Sequence, residues 1–468
     1  MPVQRLCDNP SLEHLRKQAK RLMRDGDAAL VAEFHPDPPQ HLRLADAQLV
    51  TARMYGFASW PALKRHLEIV SRYTRSPHQV GASGVLPDEF LRLACLTYGD
   101  DYRDRTRQAD ELLETHPDLA TANVFTMAAT GSADALREVL TPSLASARGG
   151  PFEWEPLMYL AYARLARPGA AVETARLLLD HGADPDTGYL WDGLTSPFTA
   201  LTGAFGGGEG DQPAHPDGLE LARTLLAAGA DANDAQTLYN RGLGGSWSDD
   251  TTHLELLLDY GLGRGSGGPW KARLGPTLPT PAELLRDELA TAALRGGPRR
   301  ARLLLSFGAD PDGVGAHPAY EGRRPYELAV MRGHVEVGEI LARAGATTAL
   351  GEMEAFVAAC MRGDASAARP ELVARALAET PCLINRAAEH RQVAAVRVLA
   401  GLGFDVNHRR GTTPLHEAAW NDDVETAMAL VALGADPAIT DTTHGSTPLG
   451  WAEFGEKVQV AAYLRTLG

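Results

Sequence analysis

Cysteine is scarce in this chain. Four occur in 468 residues, Cys7, Cys95, Cys360 and Cys382, far apart and with no CxxC pair among them. That usage excludes a disulfide framework and a zinc-ribbon site and fits reduced thiols in a cytoplasm. Long apolar runs are missing as well. No stretch approaches the roughly 18 uninterrupted apolar residues that a spanning helix needs. The opening "MPVQRLCDNPSLEHLRKQ" has no apolar signal core, so the expected location is cytoplasmic, with no membrane partner. Positive charge is in deficit, with a net charge of −15. A chain of that sign does not coat nucleic acid or an anionic membrane along its length. Lysine is nearly absent, 5 residues against 40 arginines, a usage that accords with a GC-rich bacterial genome. Catalytic signatures are lacking too: no GK[ST] follows the glycine-rich stretches, and there is no GxSxG.

What is present is apolar content of 44%, ample for a core. The charge is uneven. Residues 1–80 carry 12 Lys/Arg against 8 Asp/Glu, a net of +4 that leaves −19 for the remainder. Such asymmetry points to two modules with different surfaces.

Internal repetition organises the rest. "GAD" recurs at Gly182, Gly229, Gly308 and Gly434, each time after an apolar run such as "ARLLLDHGADPD" or "ARLLLSFGADPD". Degenerate copies end at Gly261, Gly345 and Gly403, and successive gaps are 47, 32, 47, 37, 58 and 31 residues. The physics of one unit is readable in "GTTPLHEAAWNDDVETAMALVALGADP", Gly411 to Pro437. Thr413 caps a helix, and Pro414 at its first position loses no needed N–H. Leu415, Ala418 and Ala419 form a narrow face that lets a second helix approach. Asp422 and Asp423 suit the next helix start. Val424, Ala427, Leu430 and Val431 form its apolar stripe. Gly434 ends that helix in the left-handed conformation glycine adopts cheaply. So short a pair cannot hide its own apolar surface and must stack on neighbours.

At these residues the chain resembles the ankyrin repeat, of bacterial type. Weaker matches occur at "SPFTAL" from Ser196, "TPAELL" from Thr280, "RPYELAVMRGHVEVGEIL" from Arg324 and "STPLGWA" (Ser446, Thr447, Pro448, Leu449). The resemblance covers about four-fifths of the chain and implies an all-α, ankyrin-type solenoid over residues 88–468. About 10–11 units are expected, at a period near 33 residues, with insertions at 203–218 and 261–280. The last helix, "EKVQVAAYLRTLG", carries interspersed polar residues and reads as a terminal cap. The resemblance further implies a non-enzymatic, monomeric protein-binding scaffold without cofactor or metal. Its partner would be a protein, and an acidic repeat region favours one with a basic surface.

His416-Glu417 raises the question of a zinc protease, whose HExxH puts two histidines on one helical face. The second histidine's place is Trp420, which does not bind zinc. In ankyrin-like units the histidine of TPLH is structural, and the resemblance gives His416 and Thr413 that role. His35, His41 and His215 sit in Pro-rich segments without ligand spacing and are expected at the surface. Cys95 and Cys360 lie in apolar helical segments and read as inert packing residues. "GGGEGDQPAHPDG" (Gly206–Gly218) reads as a flexible insertion between helices, and "GLGRGSGGPW" likewise. Contact positions mapped from the resemblance are Thr412, Trp420 and Asn421, then Ser446 and Phe454, then Arg323, Met331 and Arg332. Tyr189, Trp191, Trp247 and Trp270 form a second aromatic set, for which local packing of a long loop is the competing reading.

Residues 1–75 read as a separate helical module, followed by a linker at 76–87. "SLEHLRKQAKRLMRDG" is a helix capped by Ser11, with Leu12, Leu15, Ala19 and Leu22 on one side. Two further helices join at Gly56, the second capped by Ser59. Leu49, Ala52, Tyr55, Phe57, Trp60 and Leu63 form a mini-core. Such a module would cap the array. The alternative is a DNA-associated regulator using the basic, helix-turn-helix-like segment 41–70, which carries the Ala52-x3-Gly56 spacing. Pro61 inside the would-be recognition helix, and its few polar side chains, argue against that reading.

Overall fold

The computed structural model describes residue 6 and residues 11–99, 102–166 and 169–467; Cys7 lies outside them. The chain divides into two compact units, Met1–Leu285 and Arg286–Gly468. Each is built mainly from short helices joined by tight turns. No helix among the described residues is long and apolar enough to cross a membrane.

The first unit opens with helices Leu12–Asp25, Ala28–Phe34, Leu44–Met54 and Trp60–Tyr73. Ser11 caps the first by accepting from the His14 N–H, and Ser59 caps the fourth through the Ala62 N–H. Two small cores hold these helices. Ala52, Phe57 and Leu63 join Leu6 and Leu15 in one, with Tyr55 and Trp60 packed against it. The other gathers Leu22, Val31, Ala47, Val50 and Met54. Leu49 stays half-buried.

Beyond this module the first unit stacks in two layers. Helices Val124–Thr130, Pro156–Tyr162, Ala200–Phe205 and Ala235–Arg241 pack one on the next. Behind them, Ala133–Val139, Ala171–Asp180 and Gly218–Ala227 do the same. Among the described residues this unit also carries a small sheet in the order Thr74–Arg75, Gly188–Trp191, Pro197–Thr199. Thr74 pairs with Leu190 in parallel, and Tyr189 pairs with Phe198 antiparallel. Within "SPFTAL" strand and helix meet. Pro197 and Phe198 are strand residues, and the helix begins at Ala200 with Thr199 and Thr202 forming its capping box.

In the second unit, helices Leu383–Glu389, Pro414–Trp420 and Pro448–Phe454 make one layer, and Val393–Gly401, Val424–Ala432 and Val458–Leu464 the other. One apolar core runs from Val330 to Leu464, through Phe356, Ile384, Leu399, Leu415 and Leu430.

All seven glycines read as helix ends adopt φ between 88° and 103°. In every case the next residue's N–H reaches back to the helix, as Ala435 does to the Leu430 carbonyl at 2.9 Å. A Cβ at Gly434 would touch nothing within 4 Å, so backbone conformation alone demands glycine there.

A second periodic device escaped the sequence reading. Two residues after the "GAD" aspartate at Gly182, Gly229 and Gly308, and after the aspartate of the degenerate "GFD" at Gly403, stands an Asp or Asn whose side chain accepts a backbone N–H from the following turn. Asp186 takes the Asp231 N–H at 2.8 Å, Asn233 the Gly263 N–H, Asp312 the Thr347 N–H and Asn407 the Asp436 N–H. These bonds fix the spacing of successive turns. Asn407 also donates to the Gly434 carbonyl at 3.2 Å. Asn407→Ala is therefore expected to cost about 1–2 kcal/mol by denaturant titration, with helicity unchanged. A midpoint equal to wild type would show that the turn-to-turn bonds do not stabilise the stack.

Candidate functional site

The Gly411 unit builds its first helix around a buried imidazole. Thr413 and His416 form a capping box, with the Thr413 hydroxyl 2.8 Å from His416 Nδ1. His416 Nε2 lies 3.0 Å from the Ser446 carbonyl, tying this unit to the next. Burial lowers the affinity of His416 for a proton. Both ring nitrogens are thus committed to the scaffold, as a histidine joining two turns requires. Pro414 and Leu415 are buried beside it. Thr447 caps the following helix through the Gly450 N–H, and Pro448 at its start is buried. Leu449 packs half-buried on the core.

An aromatic surface stands on this base. The His416 ring meets Trp451 edge-on with centroids 5.6 Å apart, and Trp451 meets Trp420 in the same way at 5.6 Å. Trp451 Nε1 donates to Asp441 at 3.0 Å. Asp441 also accepts the N–H groups of His444, Ser446 and Thr443, which hold its carboxyl well below the usual range. Trp420 is 44% exposed, Phe454 85% and Val458 75%. Lys457 Nζ lies 5.3 Å from the centre of the Trp420 ring, and a Cβ on Gly455 would sit 3.1 Å from that ring. Trp420 and Trp451 therefore form an aromatic surface with a cationic edge at Lys457, and Phe454 and Val458 stand exposed on the following helix pair. Sequence mapping had Trp420 and Phe454, but it passed over Trp451, Lys457 and Val458. Val458 was legible, because it occupies the position of Val424 one unit later.

The other mapped positions are engaged in packing. Thr412 donates to Glu417. Asn421 Nδ2 bonds the Glu389 carbonyl at 2.8 Å, and Arg391 bonds the Asn421 carbonyl at 2.7 Å. Ser446 is half-buried. Met331 and Arg332, mapped as surface contacts, are both buried, which corrects that assignment. Met331 joins the core beside Phe356 and Met361. Arg332 turns inward onto Glu321 at 3.2 Å, where Arg386 (3.3 Å) and Arg323 (3.2 Å) also meet. Burial, together with Arg386, pulls Arg332 down to about 10. Against the upward push of burial, Arg386, Arg332 and Arg323 hold the Glu321 carboxyl low. Arg323 and Arg386 stay half-buried and Glu321 is exposed; Arg323 also bonds Glu354.

The insertions are not loose. Gly206–Gly208 are buried. The Gly207 N–H bonds the Gln212 carbonyl at 2.7 Å, and the Gly208 N–H bonds the Asn240 carbonyl at 2.9 Å. His215 is buried, and burial beside Arg164 drives it down to about 3. It is a core residue, contrary to expectation. His35 is also largely covered, 3.5 Å from Asp46, whereas His41 is exposed. Residues Gly268–Leu274 form a helix. Its Trp270 is buried and packs with Val70, Leu190, Leu274 and Leu278. Tyr189 is buried as well, and Trp191 and Trp247 are half-buried. Cys95 and Cys360 are buried, and burial pushes their thiols up to about 12 and about 11. Helix Trp60–Tyr73 buries Leu63, His66 and Val70, leaving Arg65, Glu68, Ser71 and Arg72 exposed.

Residues 384–431 match the family model described as ankyrin repeats (many copies). The match spans nearly all of helix Leu383–Glu389, helix Val393–Gly401 and most of the Gly411 unit. Ankyrin repeats are thus present in this chain, and repeats of this family generally mediate protein–protein interaction. No curated protein matches the chain.

Proposed function

We propose that the chain is a non-enzymatic, cytoplasmic scaffold that holds a protein partner on the Trp420–Phe454 face of its second unit. The observation that carries this reading is the exposure of two large aromatic side chains on a rigid base. Trp451, Asp441 and His416 fix that base from beneath, so the aromatic face is presented without an ordering cost. Exposed aromatic anchors beside a cation are the composition of interaction hot spots. The scaffold's net charge of −15 favours a partner with a basic surface, which would associate faster at low salt.

The test is a partner captured by the wild-type chain from its native lysate, identified by mass spectrometry and then purified. Trp420→Ala combined with Phe454→Ala is expected to weaken its binding by about 2 kcal/mol or more, roughly 30-fold. Helicity should stay as in wild type and melting should fall only slightly, because Phe454 is largely in water while Trp420, 44% exposed, gives up its edge-on contact with Trp451. Equal affinity in the double variant would place the contact elsewhere.

A further inference from the structure

One turn of the array is covered where its counterparts are more open. Asp186, Asn233, Asp312 and Asn407 hold the same place in four units, each accepting an N–H from the next turn. Asp312 is half-buried, and the Thr347 hydroxyl and N–H hold its carboxyl low. Asp186 is buried. Helix Gly268–Leu274, from the 261–280 insertion, makes the difference, for its Trp270 Nε1 donates to the Asp186 carbonyl at 2.8 Å.

Between helix and turn lies a cavity of about 20 Å³, room for roughly one water molecule. Asp186, Asp231 and Asp234 line one side of it, and Gly267, Trp270 and Lys271 the other. A carboxylate there is poorly hydrated. Burial drives the Asp186 carboxyl up to about 6; Asp184, Asp231 and Asp234 add to the rise, and the Asp231 N–H opposes it. The cations of the covering helix go elsewhere. Lys271 bonds the Leu278 carbonyl, and Arg273 stands 3.8 Å from Asp184 and 5.0 Å from the centre of the Trp270 ring. Asp234 is raised by burial as well, but its bonds to the Thr199 hydroxyl and the Thr237 N–H do not involve this helix.

The same helix is the seat of the amino-terminal module. Trp270 and Leu274 pack with Val70, Leu190 and Leu278, and the Tyr73 ring meets Trp270 edge-on at 5.0 Å. Glycines bracket it: Gly267 and Gly268 at its start take φ of 85° and 62°, and Gly275 at its end takes 64°. Residues that change backbone basin at little cost, placed at both ends of a short helix, make hinges.

We propose that helix Gly268–Leu274 is a hinged clasp on the amino-terminal helices, kept under load by the Asp186 carboxylate beneath it. With the helix down, ionised Asp186 is short of water. Lifting the helix restores hydration, and the carboxyl returns to its ordinary value near 4. Between about pH 4 and 6 the closed clasp therefore holds a proton that the open one releases. Closure weakens as pH rises across that window and levels off above it. His66 titrates in the opposite sense. It is buried in helix Trp60–Tyr73, 4.9 Å from the Phe57 ring, and burial lowers it against the pull of the Leu274 carbonyl.

Hydrogen exchange of the full chain, read by mass spectrometry, tests the clasp by comparing wild type with Asp186→Asn at the same pH. Intrinsic exchange and His66 are then common to both proteins. Asn already fills this place at 233 and 407, so the bond to the Asp231 N–H is kept. In the variant, segments 60–75 and 266–279 should be slowed together, by about 100-fold at pH 7 and about tenfold at pH 5. Helix Pro156–Tyr162 should change by less than about threefold. The proposal is overturned by slowing under about threefold at pH 7, or by the same factor at both pH values. Equal slowing in helix Pro156–Tyr162, or slowing of 266–279 without 60–75, overturns it too.

Discussion

Arg164→Met is expected to lower the stability of the first unit by about 3–5 kcal/mol, a large part of what holds a domain folded. Arg164 is buried, yet its hydrogen bonds go to backbone carbonyls and not to a carboxylate. It donates to Pro213 at 2.8 Å, Gly203 at 2.5 Å, Ala161 at 3.0 Å and Ala163 at 2.9 Å. Burial draws the guanidinium down to about 10, so it stays charged at neutral pH. Two effects oppose each other when it is removed. Taking away a buried charge relieves desolvation, but the four carbonyls remain, each losing a charge-assisted bond that water cannot easily replace. In a buried ion pair both partners can be exchanged for apolar groups; here the acceptors are main chain and cannot be. The loss therefore wins. Denaturant titration in a Trp420→Phe, Trp451→Phe background reads it, since the remaining tryptophans lie in the first unit. A shift under 1 kcal/mol would mean that solvent reaches these carbonyls. Arg164→Lys should recover only part of the loss, because an ammonium cannot span the same fork.

Gly206→Ala is the second large expectation, about 3 kcal/mol or more. Gly206 ends its helix with φ 63° and ψ −141°, a region essentially reserved for glycine. A Cβ there would lie 2.3 Å from the Pro213 carbonyl oxygen. Conformational strain and overpacking thus add at one atom. That oxygen is also the one Arg164 Nε holds, so the two substitutions share a partner. Their combination should cost less than the sum of the singles. A Gly206→Ala variant that melts with wild type would return residues 206–218 to the flexible insertion expected from sequence.

The contrast between that expectation and the structure shows what was legible. Helix ends were, because a left-handed glycine after an apolar run is a local requirement; all seven positions from Gly182 to Gly434 took that conformation. The capped start at Thr413 was legible for the same reason. Glycine in "GGGEGD" misled, because the residue that means freedom in a linker also permits close backbone approach, and only the distant Arg164 and Asn240 decide which. Met331 and Arg332 failed similarly. Their place in the repeat is a surface place, but burial depends on Phe356 and Glu321, which lie outside the motif. Phe454 kept its exposure, and Trp420 kept part of its own although Trp451 of the next helix covers one edge. The pairing of Thr74 with Leu190 had no local signal at all, since two residues of strand carry no periodicity.

That last pairing has a consequence for how the first unit assembles. Ser76 and Asp192 are 116 residues apart in sequence, and Val70 waits on Trp270, Leu274 and Leu278. Neighbouring turns of a repeat array can zip up as soon as they exist, but this closure brings together chain ends of a very long loop. During synthesis the pairing of Thr74 and Ser76 must therefore wait for residues 190–192, and the seat of Val70 for residues 270–278.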